Sequence, residues 1–294
     1  MPQSLNVYSP ATLADAYAVL AERGGAVKVI AGGTDVMVLM NAHMFDASEF
    51  LNIWRLAELR GITDEGETLR IGALTTYTQL IQSPLIQLHM PALVAASRTV
   101  GAVQVQNRGT IGGNIVNASP AGDSLPVLAA YDAEIEIGSR RGTRRVAFNQ
   151  FYTGYRRTVL APDELVVAAR IRKLKDGERD FFCKVGTRRA QAISKVVLAA
   201  RATATAGTIE SISIGIGSVA PTVVRAPETE RLLSGRALTP ALIEQARQLI
   251  ANEIAPISDL RSTEHYRRTV TGNVLAKFLR IRGQRPGAGG QGRE

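Results

Sequence analysis

Apolar positions change period along the chain and mark out its elements. Leu13, Ala16, Tyr17 and Leu20 recur at helical spacing after Ser9-Pro10, which reads as a cap followed by a first-turn proline. Gly24-Gly25 ends that run, and 26–31 forms a short strand leading into a glycine pair. The wholly apolar Val36–Met40 fits a buried helical turn or a second strand. Phe50–Ile53 reads as a strand, and this βαβ-like opening closes near Arg60. Beyond it the spacing predicts a strand at Leu69–Gly72 and helices at Thr75–Ile81, Pro91–Val100 and Ser124–Tyr131. Strands at Glu134–Ile137, Thr143–Phe148 and Glu164–Ile171 follow, with the punctuation of antiparallel pairing.

Lys173–Arg179 is polar and glycine-containing, the best candidate for a boundary. After it come strands at Asp180–Val185, Val196–Thr205 and Ile209–Gly217, then helices at Pro227–Leu233, Pro240–Asn252 and Thr263–Ile281. The Gly- and Arg-rich 283–294 is expected to be a disordered tail. Strands followed by helices imply an α+β unit placed last. No internal repeat is visible.

Candidate chemistry sits at two glycine-centred bends about 80 residues apart, Val29-Ile30-Ala31-Gly32-Gly33-Thr34-Asp35-Val36 and Gly109-Thr110-Ile111-Gly112-Gly113-Asn114. Glycine lets backbone amides approach a ligand and point at it together, forming an anion nest. Two nests suit a ligand with two linked phosphates. Asp35, being anionic, is expected to cap backbone N–H groups. Asp123, after the small polar run Asn117-Ala118-Ser119-Pro120-Ala121-Gly122, has two readings: a helix cap, or an acceptor for ribose or ribityl hydroxyls. Gly215-Ile216-Gly217 lacks the third glycine of a nicotinamide fingerprint, with Ala220-Pro221 in its place, and reads as a strand end.

Composition narrows the class. Of 294 residues, 45% are hydrophobic and 21% charged, as in globular chains, and no apolar run nears the ~20 residues of a membrane span. With no secretory signal visible, the chain reads as soluble and cytoplasmic. One cysteine, Cys183, and three scattered histidines leave no metal-ligand constellation. The net charge of +9 raises nucleic acid as a partner, but no recognition motif accompanies it. The basic stretch Arg140, Arg141, Arg144, Arg145, Arg156 and Arg157 reads as a solvated hairpin or a subunit contact.

On these motifs the chain resembles the FAD-binding medium subunit of the molybdenum hydroxylases, which include xanthine dehydrogenases and aerobic carbon monoxide dehydrogenases. Ala31–Asp35 is similar to that family's first flavin loop, and Gln106–Asn114 to its Asn-Arg-Gly-Thr-Ile-Gly-Gly-Asn signature. Ser119–Asp123, Gly154–Thr158, Lys184–Arg189, Gly217–Thr222 and Tyr266–Arg268 resemble later segments. The resemblance implies an α+β fold with two FAD-binding subdomains of the PCMH (vanillyl-alcohol oxidase and peptidoglycan-reductase) type, over 1–60 and 61–175. A smaller C-terminal domain over 176–282 would follow.

It further implies FAD contacts from Val29, Ile30, Ala31, Gly32, Gly33, Thr34, Asp35, Val36, Val100, Thr110, Ile111, Gly112, Gly113, Asn114, Asp123, Val166 and Lys184, with Tyr155 near the flavin ring. Lys184 would stabilise the reduced flavin, or else be a solvent-facing strand lysine; Tyr155 would shield the ring, or else pack ordinarily. No histidine neighbours either bend, so FAD would be non-covalent. Catalysis by side chains is not implied. Molybdenum cofactor and [2Fe-2S] clusters would sit on a large and a small partner subunit, in a dimer of heterotrimers, with NAD, quinone or oxygen as acceptor. Where the family commonly has an acid, Ala192 stands. A self-sufficient FAD oxidoreductase is the alternative.

Overall fold

The computed structural model describes residues 5–44, 47–188 and 190–283. The opening unit is a small parallel sheet with Glu49–Asn52 between Asn6–Tyr8 and Lys28–Ile30. Helix Leu13–Arg23 crosses over between the outer strands. Its cap is Thr12, whose side chain accepts from the Asp15 amide while Asp15 bonds back, so the helix starts later than Ser9-Pro10 predicts. Val36–Asn41 is helical, which resolves the choice between turn and strand.

The second unit is an antiparallel sheet ordered Ile62–Asp64, Thr68–Gly72, Leu165–Arg172, Glu134–Ser139, Gly142–Ala147. Helices Tyr77–Gln82, Pro84–His89, Pro91–Ser97, Val103–Arg108, Ile111–Asn117 and Leu125–Ala130 accompany it. The central strand serves two cores. Leu165 and Val167 pack with Ala16, Leu20 and Leu51 of the opening unit, whereas Val166, Ala169 and Ile171 face Ile71, Ile135 and Leu128. A bulge between Val166 and Ala168 shifts the alternation of faces. The predicted helix 91–100 stops at Ser97, and helices 84–89 and 103–108 have no counterpart in the sequence reading. Both are six residues long, too short for a period to show.

The third unit pairs Glu178–Val185, Val196–Thr205, Thr208–Gly217 and Val224–Arg225 antiparallel, with Arg236–Ala237 also on the third strand. Its core joins Leu198, Ile214 and Ile216 to Leu242, Ile250, Leu275 and Phe278 of helices Pro240–Asn252 and Glu264–Gly283. The opposite sheet face meets helix Leu125–Ala130 so closely that a Cβ on Gly215 would lie 2.0 Å from the Pro126 carbonyl oxygen. Close packing thus accounts for Gly215 inside a strand. The tail expected from 283 onward lies, beyond Gly283, outside the described residues. Among those described, no helix is long and apolar enough to cross a membrane.

Candidate cofactor cleft

The two glycine bends touch. A Cβ on Gly32 would fall 1.8 Å from the Arg108 carbonyl oxygen, and one on Gly109 would lie 3.6 Å from the Thr34 hydroxyl. Only glycine permits the first approach. Asn117 Nδ2 donates to Asp35 Oδ1 at 3.2 Å, bridging the bends again. The Arg108 guanidinium donates weakly to the Gly32 carbonyl (3.4 Å) and lies 3.9 Å from the Trp54 ring centroid, with Arg60 also over that ring.

The bends differ in what they offer a ligand. In the first, Gly33 takes φ +80°, and among the described residues the amides of Gly32, Gly33, Thr34, Asp35 and Val36 donate to no protein acceptor. They form an open nest. Asp35 makes no capping bond, contrary to expectation; its carboxylate is directed to Asn117 instead. The second bend is the start of helix Ile111–Asn117, and its amides from Ile111 to Asn114 are committed. Ile111 donates to the Thr75 carbonyl (3.0 Å), Gly112 to Ala73 (2.9 Å), Gly113 to the Thr110 hydroxyl (3.1 Å) and Asn114 to the Thr110 carbonyl (3.0 Å). The expectation of two nests is therefore corrected to one nest and one close-packed helix start. Gly112 is required there because a Cβ would lie 2.6 Å from that of Ala73, whereas a Cβ on Gly113 would meet only the Thr110 hydroxyl. Asn114 donates to Tyr77 Oη and to Ser124 Oγ (3.1 Å). Burial of Tyr77 pushes its pKa up to about 12, so it stays a neutral hydroxyl in this network.

Asp123 is buried and accepts at Oδ2 from Lys184 Nζ at 2.6 Å; the ammonium also donates to the Thr99 carbonyl at 3.0 Å. Asp123 Oδ1 has no partner. Burial raises the carboxyl to about 6, with the ammonium pulling the other way. The reading of Asp123 as a helix cap fails, since the cap of Leu125–Ala130 is Ser124, without a side-chain bond. The solvent-facing reading of Lys184 fails as well, its side chain being 11% exposed.

These groups surround one cleft of about 1390 Å³. It is lined by every candidate residue except Ile30, Ile111 and Lys184. Ile30 pairs with Asn52 in the sheet, Ile111 is wholly buried in the core, and Lys184 stands behind Asp123. Tyr155 and Arg156 form the tip of the hairpin Tyr152–Gly154/Arg157–Thr158. Tyr155 is 61% exposed, so its packing role is excluded. Val100 and Val166 supply apolar wall.

The third unit closes the remaining side, through residues that the sequence did not single out as ligand contacts. Gln191, Ile193 and Ser194 line the cleft, with Ser218, Asp259 and Arg267. Ser194 Oγ contacts Ser218 Oγ at 2.8 Å and donates to the Ala121 carbonyl at 3.2 Å. Buried Arg267 donates to the Ser218 carbonyl (2.6 Å) and to Asp259 (2.8 Å). Arg156, Gln191 and Ser218 all take positive φ (52°, 52° and 66°), a strain that concentrates at functional sites and that no glycine signalled.

The basic stretch falls on two hairpins, Arg140 to Arg145 on Glu134–Ser139/Gly142–Ala147 and Arg156 with Arg157 on the one beside the cleft. Arg144 grips Glu164 at 2.8 and 2.7 Å and Arg141 pairs with Asp163, holding the Glu164 carboxyl down at about 2. The acids come from the segment just ahead of strand Leu165–Arg172, outside the stretch itself. Among the described residues no cluster of His, Cys, Asp and Glu could hold a metal.

Comparison with known proteins converges on the same fold. Residues 3–172 match the family described as the FAD-binding domain in molybdopterin dehydrogenase, and 181–281 the CO dehydrogenase flavoprotein C-terminal domain. The chain is 36% identical over 279 residues to the putative xanthine dehydrogenase FAD-binding subunit of Escherichia coli (strain K12), covering 93% of this chain and 95% of that protein. It is 29% identical to the carbon monoxide dehydrogenase medium chain of Hydrogenophaga pseudoflava, over 95% and 97% of the two chains. A solved carbon monoxide dehydrogenase from Hydrogenophaga pseudoflava superposes with a TM-score of 0.90 at 30% identity, covering 94% and 96%. Quinoline 2-oxidoreductase from Pseudomonas putida 86, at 22% identity and a TM-score of 0.89, shares the fold. Over nearly its whole length the chain therefore belongs to the FAD-binding subunits of the molybdenum hydroxylase family.

Proposed function

We propose that this chain holds FAD non-covalently and passes electrons through it, within an assembly whose molybdenum cofactor and [2Fe-2S] clusters lie on a large and a small partner subunit. The observation that carries the reading is the open nest at 32–36 facing one cleft with a buried, half-satisfied carboxylate. Five unpartnered amides suit a diphosphate, and Asp123 Oδ1 suits a ribose or ribityl hydroxyl. Bound FAD would supply the redox chemistry.

The protein's own contribution is placement. The amides of Gly32 to Val36 would fix the diphosphate, with Val29, Ala31 and the Thr34 hydroxyl beside them. Thr110, Gly112, Gly113 and Asn114 would give a flat wall on the other side. Lys184 keeps Asp123 ionised, a role replacing direct contact with the flavin. Val100, Val166 and Tyr155 would enclose the ring. Ile30 and Ile111 would act by holding the bends in position. The unit boundaries in this reading are 1–60 and 61–175 around the cofactor and 176–282 closing it. The assembly would be a cytoplasmic dimer of heterotrimers that reduces NAD, quinone or oxygen.

Gly113→Val is the test. The Cβ of the new residue presses on the Thr110 hydroxyl at 2.9 Å, which must give way; the variant should fold with wild-type ellipticity and lose the flavin absorbance. Wild-type flavin stoichiometry in this variant would refute the assignment of the second bend. Purification from the native source should bring molybdenum and iron along with the chain. A lone active flavoprotein would favour a self-sufficient FAD oxidoreductase instead.

A further inference from the structure

Asn117, the last residue of helix Ile111–Asn117, presents both ends of its side-chain amide to charged groups. Nδ2 donates to the Asp35 carboxylate at 3.2 Å, and Oδ1 accepts from Arg156 Nη1 at 3.1 Å. The donor end meets an anion and the acceptor end a cation, so both bonds are charge-assisted and the amide has one orientation. All three residues line the cleft. They come from three segments: the bend of the opening unit, the helix of the second bend, and the tip of hairpin Tyr152–Gly154/Arg157–Thr158.

That hairpin has a fixed base and a lightly held tip. At the base, Tyr152 packs edge-on against Phe148 and Phe151 and donates to the Ile115 carbonyl at 3.0 Å. Among the described residues its two strands pair only with each other, so no larger sheet carries the tip. Tyr155 there is 61% exposed, and Arg156 takes φ +52°. Among the described residues the bond to Asn117 is the one hydrogen bond tying Tyr155 or Arg156 to the rest of the chain.

We propose, on the FAD reading above, that Asp35, Asn117 and Arg156 form a latch that holds this hairpin shut over the cleft and sets how fast FAD enters and leaves. Each latch bond joins protein to protein. It therefore favours the closed hairpin equally whether the cleft is filled or empty, and a bias that is equal in both states shifts no affinity. Cutting the latch raises the open fraction in both states, so entry and exit speed up by one factor while their ratio holds. A side chain that touches FAD directly behaves otherwise, since its loss shows mainly in exit.

Stopped-flow flavin fluorescence of the full-length chain tests this. Entry is followed on mixing with FAD, and exit on transfer of bound FAD to an excess of a second apoflavoprotein. Asn117→Ala cuts both bonds, and Arg156→Ala frees the tip alone. Each should raise both rates by about tenfold, equivalent to about 1.4 kcal/mol of barrier, with their ratio constant to within about twofold. Wild-type rates in both variants would overturn the proposal. So would faster exit with unchanged entry, the mark of a direct cofactor contact. Should Asn117→Ala lose its ellipticity, Arg156→Ala decides, because that side chain is exposed at the hairpin tip. A wild-type chain that leaves flavin fluorescence unaltered would instead overturn the FAD reading, and this is measured before any variant is mixed.

Discussion

Replacing Lys184 by methionine isolates the electrostatics behind the cleft. The ammonium is 2.6 Å from Asp123 Oδ2, and both side chains are about nine-tenths buried. Asp123 already sits at about 6 rather than its ordinary 3.8. Burial therefore disfavours its ionised form by about 3 kcal/mol even with the lysine present. Without the ammonium that opposition goes and the carboxyl rises further. Breaking a buried pair by removing one partner costs roughly 3–5 kcal/mol while the other remains charged.

The pH dependence follows in sign. Between 3.8 and about 6 the folded wild type binds more protons than the unfolded chain, so this group's contribution to stability falls as pH rises and levels off above 6. In Lys184→Met the folded pKa is higher still, and the fall continues through it. The deficit relative to wild type is thus small at pH 5, where both proteins hold Asp123 mostly protonated, and grows to at most about 3 kcal/mol by pH 8, two pH units above the wild-type value at about 1.36 kcal/mol each. Urea denaturation of the flavin-free chains at pH 5, 6, 7 and 8 measures it. A deficit that is the same at pH 5 and pH 8 would show that Lys184 stabilises the chain through its packing and not through Asp123.

Other substitutions separate the parts of the cleft. Gly32→Ala, whose Cβ would lie 1.8 Å from the Arg108 carbonyl, should force the bends apart, lose FAD and lower the thermal midpoint by several degrees in calorimetry. Gly215→Ala, aimed at the Pro126 carbonyl at 2.0 Å, should destabilise the contact between second and third units by about 1–3 kcal/mol, read as an earlier urea transition with the bends intact. Trp54 is the single tryptophan, stacked by Arg108 beside the first bend. Its fluorescence should report FAD titrations, and Arg108→Ala should weaken affinity up to about fivefold, the worth of one exposed cation–π contact; an unchanged affinity would remove Arg108 from the support of the bend.

Much of the architecture was legible because its signals are local. The third unit's strands and its helices at Pro227–Leu233 and Pro240–Asn252 follow from period and first-turn prolines. The glycine pairs located the cleft for the same reason: only glycine could stand at Gly32 against Arg108. What the sequence did not carry are facts about pairing at a distance. Asp35 looks like a cap until Asn117, 82 residues away, is seen to bind it. Nothing near Lys184 in the chain marks Asp123, which accepts from its ammonium at 2.6 Å. The second bend looks like a nest because six residues with three glycines can expose their amides; the carbonyls of Ala73 and Thr75, which take the amides of Gly112 and Ile111, belong to a separate segment.

The third unit's part in the cleft was hidden more deeply. Gln191 and Ser218 hold left-handed backbone without being glycine, so the local code gives no mark of them. Gln191 is held in place by Arg188, which donates to the carbonyls of Ala190 (3.0 Å) and Gln191 (2.6 Å). Ser218 is held by Arg267, whose own position depends on Asp259. Gln191 and Ser218 are thus each fixed by an arginine reading backbone oxygens. That kind of contact leaves no period and no spacing in the chain, yet it shapes a wall of the cleft that the bend at 32–36 also lines. The identity of the cofactor is written in short glycine motifs, while the shape that selects its orientation depends on tertiary contacts that only the folded chain displays.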